Sequence, residues 1–190
     1  FASLIVKPFI ASQTVKLNHK KTIEIIPTRP FHFDSTFFKP GHFPSKDMKW
    51  ESGKRWQTMR WPSSAKASAG EQGECLGTIF EKVGTSAKPK VRVSVFSEKK
   101  LPPGFINSVK DEVIWRYNLD LDLSGFYRAV RQDPLLEPIV KRFYGLRAMH
   151  HGSLYEYLVI AIVLQNATVR RSVYMMQTLF ENYGSLVEFD

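Results

Sequence analysis

Gln165, Asn166, Thr168, Arg170 and Arg171 gather two amides, a hydroxyl and two cations into seven consecutive positions. The cations stand where a helix would begin. Helix N-termini present free amides and a partial positive charge, so Arg170 and Arg171 at such a place suit an anion such as phosphate. A solvated helix face is the alternative for both, with one of the two turned into the packing between helices. Gln165, for its part, can cap the last carbonyls of the preceding helix.

Two elements must hold this set. Leu158 to Leu164 reads LVIAIVL, apolar on every side, which predicts a helix surrounded by protein. It is too short to span a bilayer. Ser153 and Glu156, three residues apart, form a capping box that starts it. Thr168 is the expected N-cap of a second helix, on which Val169, Val173, Met176 and Phe180 fall on one stripe, with Gly184 at its end. A buried helix that ends in Gln-Asn and is followed at once by a helix bearing two arginines places amides and cations at one edge. That edge is the candidate site.

With 190 residues and 43% hydrophobic content the chain can form one large or two small globular domains. Its one cysteine, Cys75, excludes an internal disulfide framework and a cysteine-rich metal site, and suits a reducing, intracellular compartment with the thiol buried and inert. The opening FASLIVKPFIAS fits neither a signal peptide nor a membrane span, and is expected to be a strand. The net charge of +9 is uneven: residues 1–121 hold 20 Lys/Arg against 11 Asp/Glu, and residues 122–190 hold 7 of each. Such a balance suits a polyanionic partner and serves solubility equally.

The first half reads as strands. KTIEIIPTRPFHFDSTFF is β-rich with a bend before Phe31, and Phe31, Phe33, Phe37 and Phe38 are expected in a core. KWESGKRWQTMRW predicts a hairpin turning at Glu51 to Lys54. Its Trp50, Trp56 and Trp61 either face inward or form a nucleic-acid platform among the basic residues, and the inward reading is preferred. The Ser-, Ala- and Gly-rich stretch Pro62 to Glu74 is expected to be a mobile loop. Cys75–Val83 and Pro89–Ser97 follow as strands. In the second, Val91, Val93 and Val95 form a buried face and Lys90, Arg92 and Ser94 a wet one. After Leu101-Pro102-Pro103-Gly104, a helix carries Phe105, Val109, Val113 and Tyr117 toward that sheet.

Helices are then expected over Asp122–Gln132 and Asp133–Tyr144. Asp122 belongs to a helix start, Asp133 is an N-cap, Pro134 stands at the first helical position and Pro138 in the early turns. The change from strands to helices near Leu119 predicts a boundary between an antiparallel-sheet domain, residues 1–118, and an incomplete helical domain, residues 119–190. The fold class is α+β, an antiparallel sheet with a packed helix followed by the first helices of an all-α domain. His150-His151 is the only histidine pair and lacks accompanying ligands, so a loop role is expected and neither a metal nor a cofactor. No P-loop, dinucleotide fingerprint or nucleophile elbow is present.

The stretches LDLDLSGFYRAVRQDPLLEPIVKRFYGLR, ending in Gly145-Leu146-Arg147, and SLYEYLVIAIVLQNATVRRS resemble the helix-hairpin-helix DNA glycosylases of base-excision repair. Within these, the 3-methyladenine glycosylase II and 8-oxoguanine glycosylase branch is the most similar. The resemblance runs from about Leu119 to Gly184. It implies an enzyme that binds double-stranded DNA as a monomer, expels a damaged base from the stack and cleaves its glycosidic bond. Gln165 or Asn166 would then fill the vacated space. The family's Gly-rich hairpin, its catalytic Asp and the Lys of bifunctional members lie downstream of the matched segment. The chain as given is therefore expected to lack catalytic residues and to be inactive alone. A non-catalytic nucleic-acid-binding module and a protein–protein adaptor are the alternatives.

Overall fold

The computed structural model describes residues 14–38, 48–61, 74–85, 88–150 and 154–190, with Tyr155 and Glu156 described by backbone alone. The expected first strand, the Ser153/Glu156 capping box, His151 and most of the Pro62 to Glu74 loop lie outside the described residues. The fold is α+β, as expected. Its centre is a five-stranded antiparallel sheet built from β2 (His19–Ile25), β3 (Met48–Glu51), β4 (Lys54–Trp61), β5 (Glu74–Lys82) and β6 (Val91–Ser97), in the order β2-β6-β5-β4-β3.

Period-two patterning builds one face of this sheet. Val91, Val93 and Val95 project to the same side as Leu76 and Phe80, all fully buried. Onto that side pack α1 (Phe33–Phe37) and α2 (Pro103–Arg116), with Val109, Val113 and Tyr117 of the expected helix face in contact and Phe105 half-buried. Tyr117 keeps its hydroxyl satisfied by donating to Gln57 Oε1 at 3.1 Å, as a buried phenol requires. Asn118, at φ +49°, ends α2 in the left-handed region and donates its side-chain amide to Ala148 O at 2.8 Å.

Three corrections come from this half. The segment around Phe33 is a short helix, not a strand. His32 Nδ1 accepts from Ser35 N at 3.0 Å and opens a helical turn, and stacking of Phe33 on Phe37, with centroids 4.6 Å apart, fits one turn. Phe31, Phe33 and Phe37 are core, while Phe38 is half-exposed against Trp50. The second sheet face stays wet at Lys90 and Arg92, which pair with Glu24, but not at Ser94, which is buried, and the rest of this face is closed off. It is covered by a parallel pair, β1 (Thr14–Lys16) with β7 (Leu186–Glu188), and buries Trp56, Ile79, Phe96 and Val187. A strand two residues past a helix end was not distinguishable from a loop by pattern.

The hairpin is as expected: Glu51 pairs with Lys54 across Ser52-Gly53, and Gly53 takes φ +77°. All three tryptophans are packed, Trp50 and Trp61 toward the helical face and Trp56 toward the face that β1 and β7 cover. Lys49 and Lys54 lie over the Trp56 ring and pair with Glu51 and Glu81. Cations held this way belong to the sheet surface, which removes the support for a tryptophan platform.

The later helices are α3 (Ser124–Val130), α4 (Glu137–Arg142), α5 (Leu154–Leu164) and α6 (Val169–Tyr183). Asp122 starts α3 by accepting from Ser124 N at 2.8 Å, and this bond, with a second from the Ser124 hydroxyl, holds its carboxyl below the usual range. The expected helix over Asp133–Tyr144 is shorter than its pattern. Asp133 Oδ1 accepts from Leu135 N and Leu136 N in a turn, and α4 proper begins only at Glu137, with Pro138 in its first turn. Pro138 therefore opens the helix rather than bending it.

Candidate nucleic-acid interface

The site residues sit where two helices are joined by a four-residue turn, and the turn has a definite conformation. α5 ends at Leu164, Gln165 N donates to Ile162 O at 3.2 Å, and Asn166 adopts φ +51°. Asparagine tolerates this left-handed position better than other non-glycine residues, so Asn166 is the residue that reverses the chain. Thr168 then caps α6 as expected, its hydroxyl accepting from Arg171 N at 3.3 Å. That leaves the first amides of α6 directed off the same edge as the turn.

Gln165, Asn166, Thr168, Arg170 and Arg171 are all exposed and are brought together. Neither side-chain amide has a hydrogen-bond partner among the described residues, so Gln165 does not cap the carbonyls of α5. Arg170 and Arg171 likewise form no ion pair among the described residues, and neither is turned into the helix packing. Two cations and two amides unpartnered among the described residues thus share one solvent-facing edge with a helix N-terminus.

What fixes α5 against α6 is Ser172. Fully buried, it donates from Oγ to Val163 O at 3.0 Å, beside buried Met176. The anticipated stripe is displaced: Val173 and Phe180 are half-buried, but Val169 is 57% exposed and Ser172 takes its place in the contact. The expectation for α5 is overturned more strongly. Leu158 is 52% and Ile162 65% exposed, and among its described side chains only Val163 is buried. An apolar helix needs cover on every side, and among the described residues α6 supplies one side only. Ser172→Ala should lower stability by about 1–2 kcal/mol by leaving the Val163 carbonyl without a buried donor. A urea unfolding curve in which the midpoint moves and the slope does not would show this.

Gly184 follows α6 with φ −80°, so it is not a left-handed terminator. A Cβ there would meet Phe180 O, whose hydrogen bond from Gly184 N closes the last turn at 2.9 Å. Close approach explains the glycine.

Two groups that the sequence did not reveal as partners hold the helical half to the sheet half. Gly145, at φ +84°, donates its N–H to Tyr127 Oη at 2.9 Å and accepts from His32 N at 2.9 Å. Arg147 is 3% exposed, and its guanidinium donates to the carbonyls of Thr28, Pro30, Asn118 and Leu121. Burial pulls its pKa down, while Tyr127, Asp120 and Asp122 oppose that shift. An arginine in a loop looks like any solvated cation until the chain around it is folded. His150 stacks on Trp115 with centroids 4.7 Å apart and lies in the connecting loop. The Cys75 thiol is half-buried on the face that β1 and β7 cover, and burial pushes its pKa up. Among the described residues no group of His, Cys, Asp and Glu is arranged to hold a metal ion, and no helix is long and apolar enough to cross a membrane.

This architecture is found in a DNA glycosylase. A solved structure, 3-methyladenine DNA-glycosylase from Archaeoglobus fulgidus, superposes with a TM-score of 0.65 over 88% of this chain and 53% of its own length, at 16% identity. In sequence the chain is similar to the DNA-3-methyladenine glycosylase of Bacillus subtilis (strain 168), 26% identical over 137 residues, which is 63% of this chain and 45% of that protein. No family model matches the chain. It spans about half the length of each of these two relatives.

Proposed function

We propose that this chain supplies the sheet unit and the DNA-gripping helical edge of a base-excision glycosylase of the helix-hairpin-helix kind. Its substrate is intracellular double-stranded DNA with a damaged or alkylated base, bound by one copy of the protein. In this reading residues 1–118 form the sheet unit and residues 119–190 open the helical unit, which sends β7 back to the sheet. The carrying observation is the α5–α6 edge. The exposed amides of Gln165 and Asn166 stand beside the N-terminus of α6 with Arg170 and Arg171. Cations and helix amides suit phosphates on either side of a lesion, and side-chain amides suit the edge of an orphaned base. The sequence and fold relatives, both glycosylases by name, support the same assignment. Cleavage of the glycosidic bond belongs to the whole enzyme: the five edge residues include no carboxylate or imidazole to act as its acid or base, and the one hydroxyl, Thr168, is engaged in capping α6.

The test is binding to a duplex carrying a tetrahydrofuran abasic analogue and to the undamaged duplex, across a range of salt. Arg170→Ala with Arg171→Ala should weaken both and make the log–log salt slope shallower by about 1.8, the loss of two phosphate contacts. Absence of any binding at low salt would end the DNA reading. A protein–protein adaptor is the competing reading, and the exposed apolar side chains of Leu135, Ile139, Phe143 and Ile162 favour it. A discrete protein partner together with no DNA binding would establish it.

A further inference from the structure

We propose that Leu186–Asp190 is a strap that sets the position of the α5–α6 edge on the sheet, with Gly77 and Phe189 as its positioning residues. The inference rests on the DNA reading above and gives the sheet half a task in it. Only Gly184 and Ser185 separate the end of α6 from β7, so the helix cannot shift far while the strap is seated. The strap is held at three levels. Its backbone pairs in parallel with β1, Val15 opposite Val187, and Leu17 N donates to Glu188 O at 2.9 Å. Val187 is buried against Leu17, Trp56, Ile79 and Phe96. Asp190 Oδ2 accepts from Trp56 Nε1 at 3.2 Å.

Gly77 marks where the strap is registered. It lies in a central strand with no left-handed backbone, so conformation does not demand glycine there. The reason is contact: a Cβ would stand 2.5 Å from Cγ of Phe189 and 2.6 Å from both Cδ carbons, and these are its three nearest atoms. The Phe189 ring thus seats on bare backbone, with Phe96 beside it at a centroid distance of 5.4 Å. From that seat the constraint passes through α6 to Ser172, from Ser172 Oγ to Val163, and so to the turn bearing Gln165 and Asn166.

Cys75 is a built-in reporter. It is two residues from Gly77 in the same strand, half-buried against the cluster that the strap completes, and it is the chain's one thiol. Gly77→Ala should lift the ring and raise the rate at which Cys75 reacts with an aromatic disulfide reagent by about 10-fold, the scale of a single overpacked methyl. The same variant should lose about 10-fold of its preference for the tetrahydrofuran duplex over the undamaged one, because a misplaced edge meets phosphates but not the gap. Its salt slope should stay at the wild-type value. Gly77→Ala combined with Phe189→Leu should restore both thiol protection and lesion preference, and an unfolded variant would restore neither.

An unchanged thiol rate in Gly77→Ala overturns the strap. So does a faster thiol with lesion preference intact, since the strap would then be displaced without disturbing the edge. A wild-type chain that binds neither duplex at low salt overturns the DNA reading and this inference with it, whereas one that binds both without preference leaves the DNA reading standing and overturns this inference alone; either is seen before any variant is made.

Discussion

Arg147→Met should lower stability by about 3–5 kcal/mol, a large share of the 5–15 kcal/mol typical of a folded domain. The guanidinium serves carbonyls from two separate stretches, Thr28 and Pro30 before α1 and Asn118 and Leu121 after α2. Methionine matches the apolar stem but not the guanidinium, and leaves the carbonyls of Thr28, Pro30 and Leu121 without that donor in a region closed to water, while Asn118 O keeps only Leu121 N at 3.3 Å. Each buried acceptor left unmade costs about 1–3 kcal/mol, with partial relaxation reducing the sum. Arg147→Lys should recover less than half of the loss, because one ammonium cannot reproduce a planar fork aimed at four oxygens. At about 2–4 °C per kcal/mol for a chain of this size, the melting temperature should fall by roughly 10 °C. Calorimetry of both variants measures it, and a fall of under 2 °C for Arg147→Met would mean that water reaches those carbonyls.

The second large effect is at the edge itself. Gln165→Ala with Asn166→Gly, placed in the full-length enzyme, should slow capture of the extruded base by at least about 10-fold, the value of one lost polar contact of 1.4 kcal/mol or more. Glycine is the right replacement at position 166 because φ there is +51°, where alanine would add backbone strain unrelated to DNA. A plug acts only after the base has left the stack, whereas Arg170 and Arg171 attract the duplex before and after. The amide variant should therefore keep its salt slope, and the arginine variant should change it. A fluorescent base analogue at the lesion, followed after rapid mixing, reports extrusion directly. Unaltered extrusion and cleavage in the folded amide variant would return Gln165 and Asn166 to the role of a plain turn.

The segments legible in the sequence are those whose partners are local or periodic. The hairpin at Ser52-Gly53 was readable because a two-residue turn needs a residue tolerant of positive φ between pairing strands. The α2 face and the Val91, Val93, Val95 face were readable because burial on one side imposes a period of 3.6 or 2 on the residues themselves. Thr168 was readable as a cap because the bond it makes closes within three residues. With these came the α+β class and the position of the α5–α6 edge.

Tertiary structure decided the rest, and in each case the cause is a partner far away in the chain. The helix at Phe33 owes its place to packing of Phe37 on Phe80 and Tyr117, which overrides the strand preference of a Phe-rich run. Whether LVIAIVL is covered depends on which surfaces meet it, and its composition reports only that cover would be favourable. Arg147 became a staple rather than a surface cation because Thr28, Pro30, Asn118 and Leu121 converge on it from two stretches. Gly77 is required by a ring more than a hundred positions later in the chain, and Gly184 by the turn it closes. Amino-acid sequence alone thus determined the local elements and brought Gln165, Asn166, Thr168, Arg170 and Arg171 onto one edge, since their neighbours in space are their neighbours in the chain. Only the folded chain decided what that edge is braced against, because bracing is made of long-range contacts that leave no period and no spacing to read.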